Sequence, residues 1–511
     1  MTLAPEHRSV VVDLGSNSFR LVVYAWVPGA WWTRVDEIHE TVRIGAGLDS
    51  TGRLSEEAME RALRTLRLYD HFRRALGVDD ADVHPVATSA IRDAANRDEF
   101  VARAAEVSGV PVRVLDAEEE AYLGYVAAVN STTLQDGAVM DLGGGSLQLV
   151  DVRERRARRC RSWPLGAVRM TEHYLGGEDL PTGAKALKAL RAHVREQLGG
   201  EGWLAKGRGR IVGIGGTVRN LASAAELVAG LPTFGAQGFT LTREALGELI
   251  GELAARRPSQ RGEVPGIKSG RGEIILAGAA VIDTVLEISG QESIEVSEAG
   301  LREGAFFTEF LAPADPPLFP DVRGASVRNV ALQFQPDIRH ATHVADLSLE
   351  MLDSLRAGGV DAGDGAEREL LWAAAMLHDV GKAVDYDDHH KHSRYLILGA
   401  GLPGYEPREV ALIAQMTRYH RKGSPIAGPL EPLMRDGDAE MLVRCSAILR
   451  LAEHLERGRD QVVRHARLEA NGKTVRLELE CDGDPSIAVW GAERQAELFE
   501  RAFGRRLEVV A

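Results

Sequence analysis

A strand, an aspartate, a turn of small residues and a second strand are predicted twice in this sequence. The two copies are VVVDLGSNSFRLVVY at residues 10–24 and VMDLGGGSLQLV at residues 139–150. Runs of β-branched and other apolar residues around each turn are typical of buried strand pairs. A third glycine turn, IVGIGGTVRNL at residues 211–221, leads into a helix. Because strands and helices alternate around these motifs, the first 310 residues are predicted to be a duplicated α/β unit with two lobes and a cleft.

A proline-rich segment divides the chain. LAPADPPLFP, at residues 311–320, has four prolines in ten residues, which neither a helix nor a central strand accommodates. Helices are predicted beyond it, and then a β-hairpin with an Asn-Gly turn over residues 462–480 and a last strand at 507–510. Predicted helices include 55–76, 90–108, 327–355, 370–382, 409–420, 441–456 and 493–503. The predicted domains are lobe I at 1–127, lobe II at 128–311, a linker at 312–320, a helical domain at 321–460 and a small α+β cap at 461–511.

Composition excludes several classes of protein. The 511 residues include 61 Lys+Arg and 75 Asp+Glu, a formal net charge of −14. No apolar run approaches the roughly 18 residues of a membrane helix, and charged residues interrupt the N-terminal segment where a signal peptide would be apolar. Three scattered cysteines are too few for a disulfide framework or a zinc site. A soluble, cytoplasmic protein without a membrane partner is predicted, and the acidic balance argues against nonspecific nucleic-acid binding.

The repeated turn is suited to binding phosphate. Small residues let successive backbone N–H groups approach phosphate oxygens. The aspartate just before each turn, Asp13 or Asp141, can hold Mg²⁺, because Mg²⁺ prefers oxygen ligands. One glycine-rich hairpin is weak evidence, but two copies in register and a third glycine turn together predict a phosphate-binding cleft.

The motifs also resemble those of a known family. The two turns look like the phosphate-1 and phosphate-2 motifs of the actin/Hsp70/sugar-kinase superfamily. With ATSAIRDA (87–94), EEEAYLGY (118–125), GIGGT and SEAGLREG (297–304), the chain is similar to the exopolyphosphatase/guanosine pentaphosphate phosphohydrolase (Ppx/GppA) family over nearly its whole length. The resemblance implies an α/β actin-like (ASKHA, RNase H-like) duplicated core, an all-α HD-like domain and a small α+β C-terminal cap.

The resemblance implies roles for individual residues. Glu120 matches the catalytic base that activates water, and Arg92 matches an arginine that contacts the terminal phosphates. Asp141 matches the ligand of the catalytic divalent metal, Mg²⁺ with Mn²⁺ as the alternative, and Asp13 is its counterpart in the other lobe. On spacing alone, a first-turn acid at a helix N-terminus is the simpler explanation of Glu120, and a surface position is the simpler explanation of Arg92. The predicted phosphate-binding residues are Gly15, Ser16, Asn17, Ser18, Gly143, Gly144, Gly145, Ser146, Gly215, Gly216 and Thr217.

One position departs from the family pattern. The family commonly has glutamate two residues after the second loop's serine, and this chain has Gln148. An amide accepts a hydrogen bond from metal-bound water but carries no charge. The metal affinity or preference of this chain is therefore expected to differ.

The helical half contains a possible second metal site. His340, the pair His378-Asp379 in MLHDVGK, and Glu453 resemble the His…His-Asp…Asp set of HD phosphohydrolases, with glutamate in place of the last aspartate. The alternative is a degenerate HD fold that only packs. A His/Arg-rich region is expected to be either a cationic surface for phosphate chains or a solvated face. It comprises His389, His390, His392, His420, Arg418, Arg421 and Lys422.

A strongly basic stretch follows the second phosphate motif. RERRARRCR, at residues 153–161, has six arginines and one glutamate, a net charge of +5. Two interpretations stay open: a path that guides polyphosphate to the cleft, or the basic protection of an exposed strand edge. The arginines are Arg153, Arg155, Arg156, Arg158, Arg159 and Arg161.

Together these features predict an exopolyphosphatase, a phosphoanhydride hydrolase that releases terminal orthophosphate from inorganic polyphosphate. One alternative is the 5′-phosphohydrolysis of guanosine pentaphosphate in the same site. An alternative of another class is a phosphate- or nucleotide-responsive binding or sensor protein with weakened catalysis, suggested by Gln148 and the imperfect HD set. A homodimer is expected from the resemblance.

Overall fold

The computed structural model describes residues 5–205, 209–334, 337–360 and 365–510, and it divides into two compact units, Met1–Val322 and Arg323–Ala511. Within these described ranges, none of the helices is long and apolar enough to span a bilayer.

The first lobe of the first unit is a five-stranded sheet of order β3-β2-β1-β4-β5 with helices around it. β1 pairs antiparallel with β2 and parallel with β4, which places the ends of β1 and β4 at the same edge. Its elements are β1 (His7–Leu14), β2 (Phe19–Val27), β3 (Trp31–Glu40), α1 (Leu48–Thr51), α2 (Glu56–Ala75), β4 (Val83–Ala87), α3 (Ser89–Asp93), α4 (Arg97–Ser108), β5 (Arg113–Val114) and α5 (Ala117–Ser131).

The second lobe repeats this arrangement. Its sheet has the order β10-β11-β9-β6-β7-β8, so β8-β7-β6-β9-β11 reproduces the 3-2-1-4-5 order of the first lobe, with β10 added at one edge. The predicted strand pairs at the two motifs and the predicted duplication are therefore confirmed. The elements are β6 (Gly137–Leu142), β7 (Leu147–Arg153), β8 (Arg156–Trp163), α6 (Ala167–Met170), α7 (Ala184–Leu198), α8 (Gly202–Ala205), β9 (Arg210–Ile214), α9 (Gly216–Val228), β10 (Thr240–Thr242), α10 (Arg243–Ala255), α11 (Gly272–Ser289), β11 (Ser293–Val296) and α12 (Leu301–Phe310).

The proline-rich segment packs onto the first unit. The Asn130 side chain donates to Pro317 O and accepts from Phe319 N, both at 2.8 Å. The Phe319 ring stacks on Trp32 of β3, with ring centroids 5.0 Å apart. These contacts anchor the segment through a buried amide and an aromatic stack.

The second unit is a helical bundle that shares one apolar core with a three-stranded sheet of order β12-β13-β14. Ala466 and Leu468 of the first strand and Val475 and Leu477 of the second lie in the same core cluster as the bundle's leucines, because alternate positions of the hairpin face inward. The predicted hairpin is confirmed. The elements are α13 (Val322–Phe334), α14 (Ile338–Ala357), α15 (Gly365–Leu377), α16 (His389–Ala400), α17 (Pro407–Arg418), α18 (Asp438–Leu455), β12 (Val463–Asn471), β13 (Thr474–Cys481), α19 (Ser486–Glu493), α20 (Ala496–Phe503) and β14 (Arg506–Val510).

Three predicted helices are wrong in extent. The helix predicted at 327–355 is two helices, α13 and α14. The second begins after Asp337, whose side chain accepts from His340 N, and Pro336 precedes it in the sequence. The helix predicted at 90–108 is divided into α3 and α4, because Ala94 adopts an extended conformation. The helix predicted at 493–503 begins only at Ala496, as α20, and a separate short helix that was not predicted, α19, precedes it.

Candidate active site

The two glycine turns face each other across a cavity in the first unit. Asp13 and Asp141 stand one residue before the ends of β1 and β6, and both line this cavity with Glu120. Because the strands in the two lobes are equivalent, their turns meet at the same place, as expected for ligand sites at the carboxyl ends of strands. Of the predicted phosphate-binding residues, those lining the cavity are Gly15, Ser16, Asn17, Ser18, Gly143, Gly144, Ser146, Gly215 and Gly216.

The close approach of the two loops requires glycine. A Cβ on Gly145 would lie 2.7 Å from Ser89 Oγ and 3.0 Å from Ser16 Oγ, and those two hydroxyls are 3.1 Å apart. Gly145 itself lines an adjoining cavity with Gly144 and Ser16. The absence of a side chain at Gly145 lets the backbone of one loop reach the hydroxyls of the other.

Thr217, a predicted phosphate-binding residue, and Gln148, the departure from the family pattern, lie away from the cavity lining. Thr217 is fully buried, and a Cβ on Gly278 of α11 would lie 2.4 Å from its methyl carbon, so Thr217 packs into the lobe core. Gln148 is buried and donates to Ser146 Oγ at 2.8 Å and to Ser162 Oγ at 3.3 Å. Its amide therefore holds the serine of the second loop in place.

Glu120 reaches the cavity because of how α5 begins. Asp116 caps the helix by accepting from the N–H groups of Glu118 and Glu119, and the Glu119 carboxylate accepts from Asp116 N in return. Because of this capping box, the three consecutive glutamates have different surroundings. Glu118 is exposed, Glu119 closes the cap, and Glu120 is buried against the cavity.

Burial raises the pKa of Glu120 to about 7; Arg92 opposes the rise, whereas Asp141 and Asp13 add to it. Arg92 NH1 donates to Glu120 Oε2 at 2.6 Å and to Leu115 O at 3.2 Å. A carboxylate with a pKa near neutrality, held in one orientation by an arginine, can accept a proton from water. The structure thus brings the predicted base and the predicted phosphate-contacting arginine together.

The two aspartates form the floor of the cavity. Burial and the neighbouring Asp13 raise the pKa of Asp141 to about 6. Burial also raises the pKa of Asp13, against the effect of Arg302, whose NH1 is 3.7 Å from Asp13 Oδ2. A cation bound beside these two buried carboxylates would stabilise their ionised forms. Carboxylate and hydroxyl oxygens are the ligands that Mg²⁺ and Mn²⁺ accept, so this donor set fits the predicted metal.

Four arginines of the cavity were missed by sequence reasoning: Arg20, Arg219, Arg271 and Arg302. Burial and the neighbouring Arg219 and Arg20 lower the pKa of Arg271 to about 10. Burial also disfavours the charged form of Arg302, but the neighbouring carboxylates of Glu303 and Asp13 outweigh this effect and raise the pKa of Arg302. Three of the four lie within the quoted motifs, two to five residues from a glycine, whereas Arg271 has no such signal. Guanidinium groups pair with phosphate oxygens in bidentate geometry, so this cluster can neutralise a polyanion.

The basic stretch forms the outer hairpin of the second sheet. Glu154 and Arg155 make the turn with positive φ angles, and β8 is an edge strand. Arg155 is turned inward and donates to Phe319 O at 2.8 Å, and Arg153 lies 3.1 Å from Asp151. The arginines exposed along the strand are Arg156, Arg158, Arg159 and Arg161. At the far end of the strand, Arg161 lies 3.5 Å from Glu118, on the first turn of the helix that carries Glu120.

In the second unit the predicted metal residues converge. His340 Nε2 and His378 Nε2 lie 3.0 and 3.1 Å from Glu453 Oε2, and 3.8 and 3.7 Å from Asp379 Oδ2. The expectation of a cationic surface nearby is wrong for three of its histidines. His389, His390 and His420 are buried, and His389 Nε2 lies 3.2 Å from Asp379 Oδ1.

Comparisons with known proteins agree with this arrangement. The profile of the Ppx/GppA phosphatase family matches residues 22–312, and that of Ppx/GppA phosphatase domain III matches residues 322–485. A crystal structure of the Aquifex aeolicus member of the Ppx/GppA family is 28% identical, with 60% of this chain and 98% of that chain covered and a TM-score of 0.51. For the crystal structure of an exopolyphosphatase-like protein, the identity is 28%, the coverages are 60% and 99%, and the TM-score is 0.53. An exopolyphosphatase from Cytophaga hutchinsonii is similar in fold, with 23% identity, coverages of 60% and 98% and a TM-score of 0.54.

The duplicated sheets and the cavity at their glycine turns agree with a phosphatase of this class. The two profiles cover most of the sequence and leave no ambiguity about the relationship. The chain belongs to the Ppx/GppA phosphatase family.

Proposed function

We propose that the chain is an exopolyphosphatase that releases terminal orthophosphate from inorganic polyphosphate in the cleft of its first unit. The observation that carries this proposal is Glu120, a buried carboxylate with a pKa of about 7 beside Arg92 and opposite two phosphate-type loops. Phosphoanhydride hydrolysis requires an oriented water, neutralised phosphate oxygens and in-line geometry. The site supplies a group for each of the first two requirements.

In the proposed reaction the oxygen of a water molecule bonds to the terminal phosphorus, and Glu120 accepts the proton that this water loses. The bond from that phosphorus to the bridging oxygen breaks, and the shortened chain leaves with the electron pair. Arg92 orients Glu120 and presents its remaining N–H groups to the terminal phosphate. Asp141 and Asp13 would hold Mg²⁺ or Mn²⁺, which when bound withdraws charge from the phosphate oxygens.

The surrounding charges favour a long polyanion. Arg20, Arg219, Arg271 and Arg302 line the same cavity as the loops. The exposed arginines of β8 lead from the sheet edge towards α5, where Arg161 lies 3.5 Å from Glu118. Local positive charge of this kind attracts a polyanion even though the whole chain carries −14. We therefore propose this edge as the path of the polyphosphate chain.

One observation favours guanosine pentaphosphate as a second candidate substrate. The adjoining cavity, which shares Ser16, Asn17 and Gly144 with the catalytic cavity, is lined by Leu48, Val168 and Ile274 as well as by polar groups. An apolar lining with a few polar groups is typical of sites for flat ring systems. A guanine ring in this cavity would place its phosphates near the two loops.

Phosphate release from polyphosphate and from guanosine pentaphosphate, measured side by side, tests the proposal. Glu120→Gln is expected to lose about 10²–10⁴-fold in kcat, the range for a general base. Glu118→Gln is the matched control, because it makes the same change two residues away at an exposed position, and it should stay within about twofold. Full activity of Glu120→Gln would exclude the assigned base. A wild type inactive on both substrates would instead favour a binding or sensor protein. The expected homodimer is tested by light scattering on the same samples.

A further inference from the structure

Six metal-ligating side chains converge in the interior of the second unit. They come from five places in the chain: one from α14, two from the residues after α15, and one each from α16, the end of α17 and α18. Each is less than one tenth exposed. We call this set the histidine–carboxylate cluster; its members are His340, His378, Asp379, His389, His420 and Glu453. The resemblance to HD phosphohydrolases implied four of them, and the fold adds His389 and His420.

One half of the cluster has the dimensions of a metal cradle. The facing atoms of His340, His378 and Glu453 are 3.0, 3.1 and 3.3 Å apart, and Asp379 Oδ2 lies 3.7–3.8 Å from both imidazoles. An ion with bonds of about 2.1 Å to nitrogen and oxygen separates neighbouring ligands by about 3.0 Å in octahedral and about 3.4 Å in tetrahedral geometry. The observed separations bracket these values.

The other half lies on the opposite side of the same aspartate. Asp379 Oδ1 is 3.2 Å from His389 Nε2 and 3.8 Å from His420 Nε2, and those two nitrogens are 3.2 Å apart. The two carboxylate oxygens of Asp379 therefore face different halves of the cluster. A carboxylate in this position bridges two ions, which in dinuclear centres are about 3.5–4 Å apart.

The imidazoles are held in the orientation that metal binding requires. The Nδ1 atoms of His378, His389 and His420 lie 2.6–2.8 Å from the backbone carbonyls of Ala375, Tyr386 and Thr417. Each Nδ1 donates a proton there, so the nitrogen left to bind a metal in each ring is Nε2, which faces the cluster centre. The Nε2 atoms of His389 and His420 are 3.2 Å apart, a separation that suits two ligands of one cation.

We propose that the histidine–carboxylate cluster binds two first-row divalent transition-metal ions bridged by Asp379, separate from the Mg²⁺ site of the cleft. His340, His378 and Glu453 hold the first ion, and His389 and His420 hold the second. Imidazole ligands favour Mn²⁺, Fe²⁺ or Zn²⁺ over Mg²⁺. Lys382 and Arg459 also contact Asp379 Oδ2. Both are partly exposed, so their charged ends can turn to solvent when an ion takes their place.

Metal analysis of the full-length protein tests this proposal. The protein is stripped with chelator, incubated with Mn²⁺ in a large excess of Mg²⁺, desalted and analysed by mass spectrometry for manganese. Two equivalents per chain are expected in the wild type, and about one in His389→Ala. His392→Ala, a change on the same helix outside the cluster, should keep two. Retention of two ions by His389→Ala, or uptake of none or one by the wild type, would overturn the proposal.

A variant could also lose metal because it misfolds, so a spectroscopic measurement tests the bridged pair of ions in proteins whose cluster is unchanged. Two Mn²⁺ ions bridged by a carboxylate give an exchange-coupled electron paramagnetic resonance spectrum, whereas isolated ions give a six-line signal. The coupled spectrum is expected in the wild type and in Asp141→Asn, because the latter changes only the cleft. An uncoupled spectrum from fully loaded wild type would contradict the bridge. Neither result depends on polyphosphate hydrolysis, so this proposal and the proposed function can fail independently.

Discussion

The cleft of the first unit and the histidine–carboxylate cluster of the second both place buried carboxylates beside cations, but the neighbouring atoms differ. In the cleft, Asp13 and Asp141 are surrounded by hydroxyls, backbone N–H groups and guanidiniums. In the cluster, Asp379 faces four imidazoles at 3.2–3.8 Å. Oxygen donors select hard ions and leave room for a phosphate, whereas imidazoles select transition metals.

The two centres also differ in how open they are. The cleft opens to a cavity lined by residues of both lobes, which a substrate can fill. The side chains of the cluster are less than one tenth exposed, and they tie together five separate parts of the helical bundle. An open cavity allows substrate and product to exchange, whereas the buried cluster is expected to stabilise its unit.

The largest effect is expected from Asp141→Asn. Removal of this carboxylate should weaken binding of the metal proposed for the cleft. A bound metal contributes several kcal/mol to catalysis, which corresponds to about a thousandfold in kcat. Steady-state phosphate release at increasing Mg²⁺ measures the loss. Asp379→Asn is the reciprocal variant, and its kcat should stay within about threefold. Equal losses in both variants would contradict the separation of the two centres.

Asp379→Asn should instead reduce stability. Burial disfavours its charge, but His378, His389 and Lys382 hold the pKa of Asp379 far below its usual range. The ionised form therefore stabilises the fold above about pH 4, the ordinary carboxyl pKa, and this contribution is lost only in stronger acid. Removing one partner of a buried ionic network costs about 3–5 kcal/mol. Chemical denaturation at pH 7 without metal measures this loss in the free energy of unfolding.

Asp353→Asn is the surface control for that measurement. Asp353 pairs with Arg368 at 3.0 Å, and both side chains are nearly half exposed. Exposed pairs contribute about 0–1 kcal/mol, so this variant should unfold almost like the wild type. A comparable loss in both variants would mean that burial of the cluster has no special role.

The sequence allowed the cleft to be predicted better than the cluster, for a physical reason. Asp13, Asp141 and Glu120 lie in contiguous motifs whose local geometry, strand, turn and capped helix, is set by neighbouring residues. Arg271 reaches Gly216 only through tertiary packing, where a Cβ on that glycine would lie 2.4 Å from the guanidinium. No local pattern specifies such a contact.

Local signals were also insufficient in the second unit. His389 and His420 were grouped with surface arginines, because charge density along the sequence does not show which side of a helix is buried. His389 opens α16, and His420 follows α17 with its Nδ1 held by Thr417 O. Similarly, a glycine turn predicted Thr217 for phosphate, but the helix that follows turns this residue into the core. In each case the sequence does not show whether the side chain faces the core or the solvent.

The pH dependence of kcat should show a smaller effect, and it tests the role of Glu120 directly. Glu120 acts when deprotonated, and its pKa is raised to about 7, so kcat should rise with pH through about 7. Arg92 lowers that pKa, so Arg92→Met should move the rise to higher pH. It should also reduce the rate at pH 7 about ten- to a hundredfold, since hydrogen bonds to charged groups contribute about 1.5–3 kcal/mol. The pH–rate profiles of the two proteins measure both effects. A rise centred near pH 4.5 in the wild type would exclude Glu120 as the titrating base.

Gln148→Glu should change metal affinity more modestly. The added charge lies beside Ser146 of the second loop, which the wild-type amide contacts at 2.8 Å. An extra carboxylate near the ion should lower the Mg²⁺ concentration for half-maximal activity by about three- to tenfold. Gln148→Met removes the same hydrogen bonds without adding charge, and it should not tighten Mg²⁺. Identical Mg²⁺ titrations for Gln148→Glu and the wild type would show that the missing charge has no effect on this metal.

The smallest effect is expected at the edge strand. Arg159→Glu/Arg161→Glu reverses two exposed charges near α5. It should reduce processivity on long polyphosphate about two- to fivefold. It should also flatten the salt dependence of KM, because fewer counterions are displaced from the polyanion. Hydrolysis of a short chain such as tripolyphosphate should be almost unchanged, since it fits within the cleft. Arg64→Glu/Arg67→Glu on α2 makes the same change in net charge at other exposed positions. If both pairs weaken long-chain hydrolysis equally, net charge is responsible and β8 only protects a sheet edge. A loss confined to the first pair and to long chains would place the polyphosphate path along β8. Exposed charge on this strand, rather than a buried centre, would then determine the rate of long-chain hydrolysis.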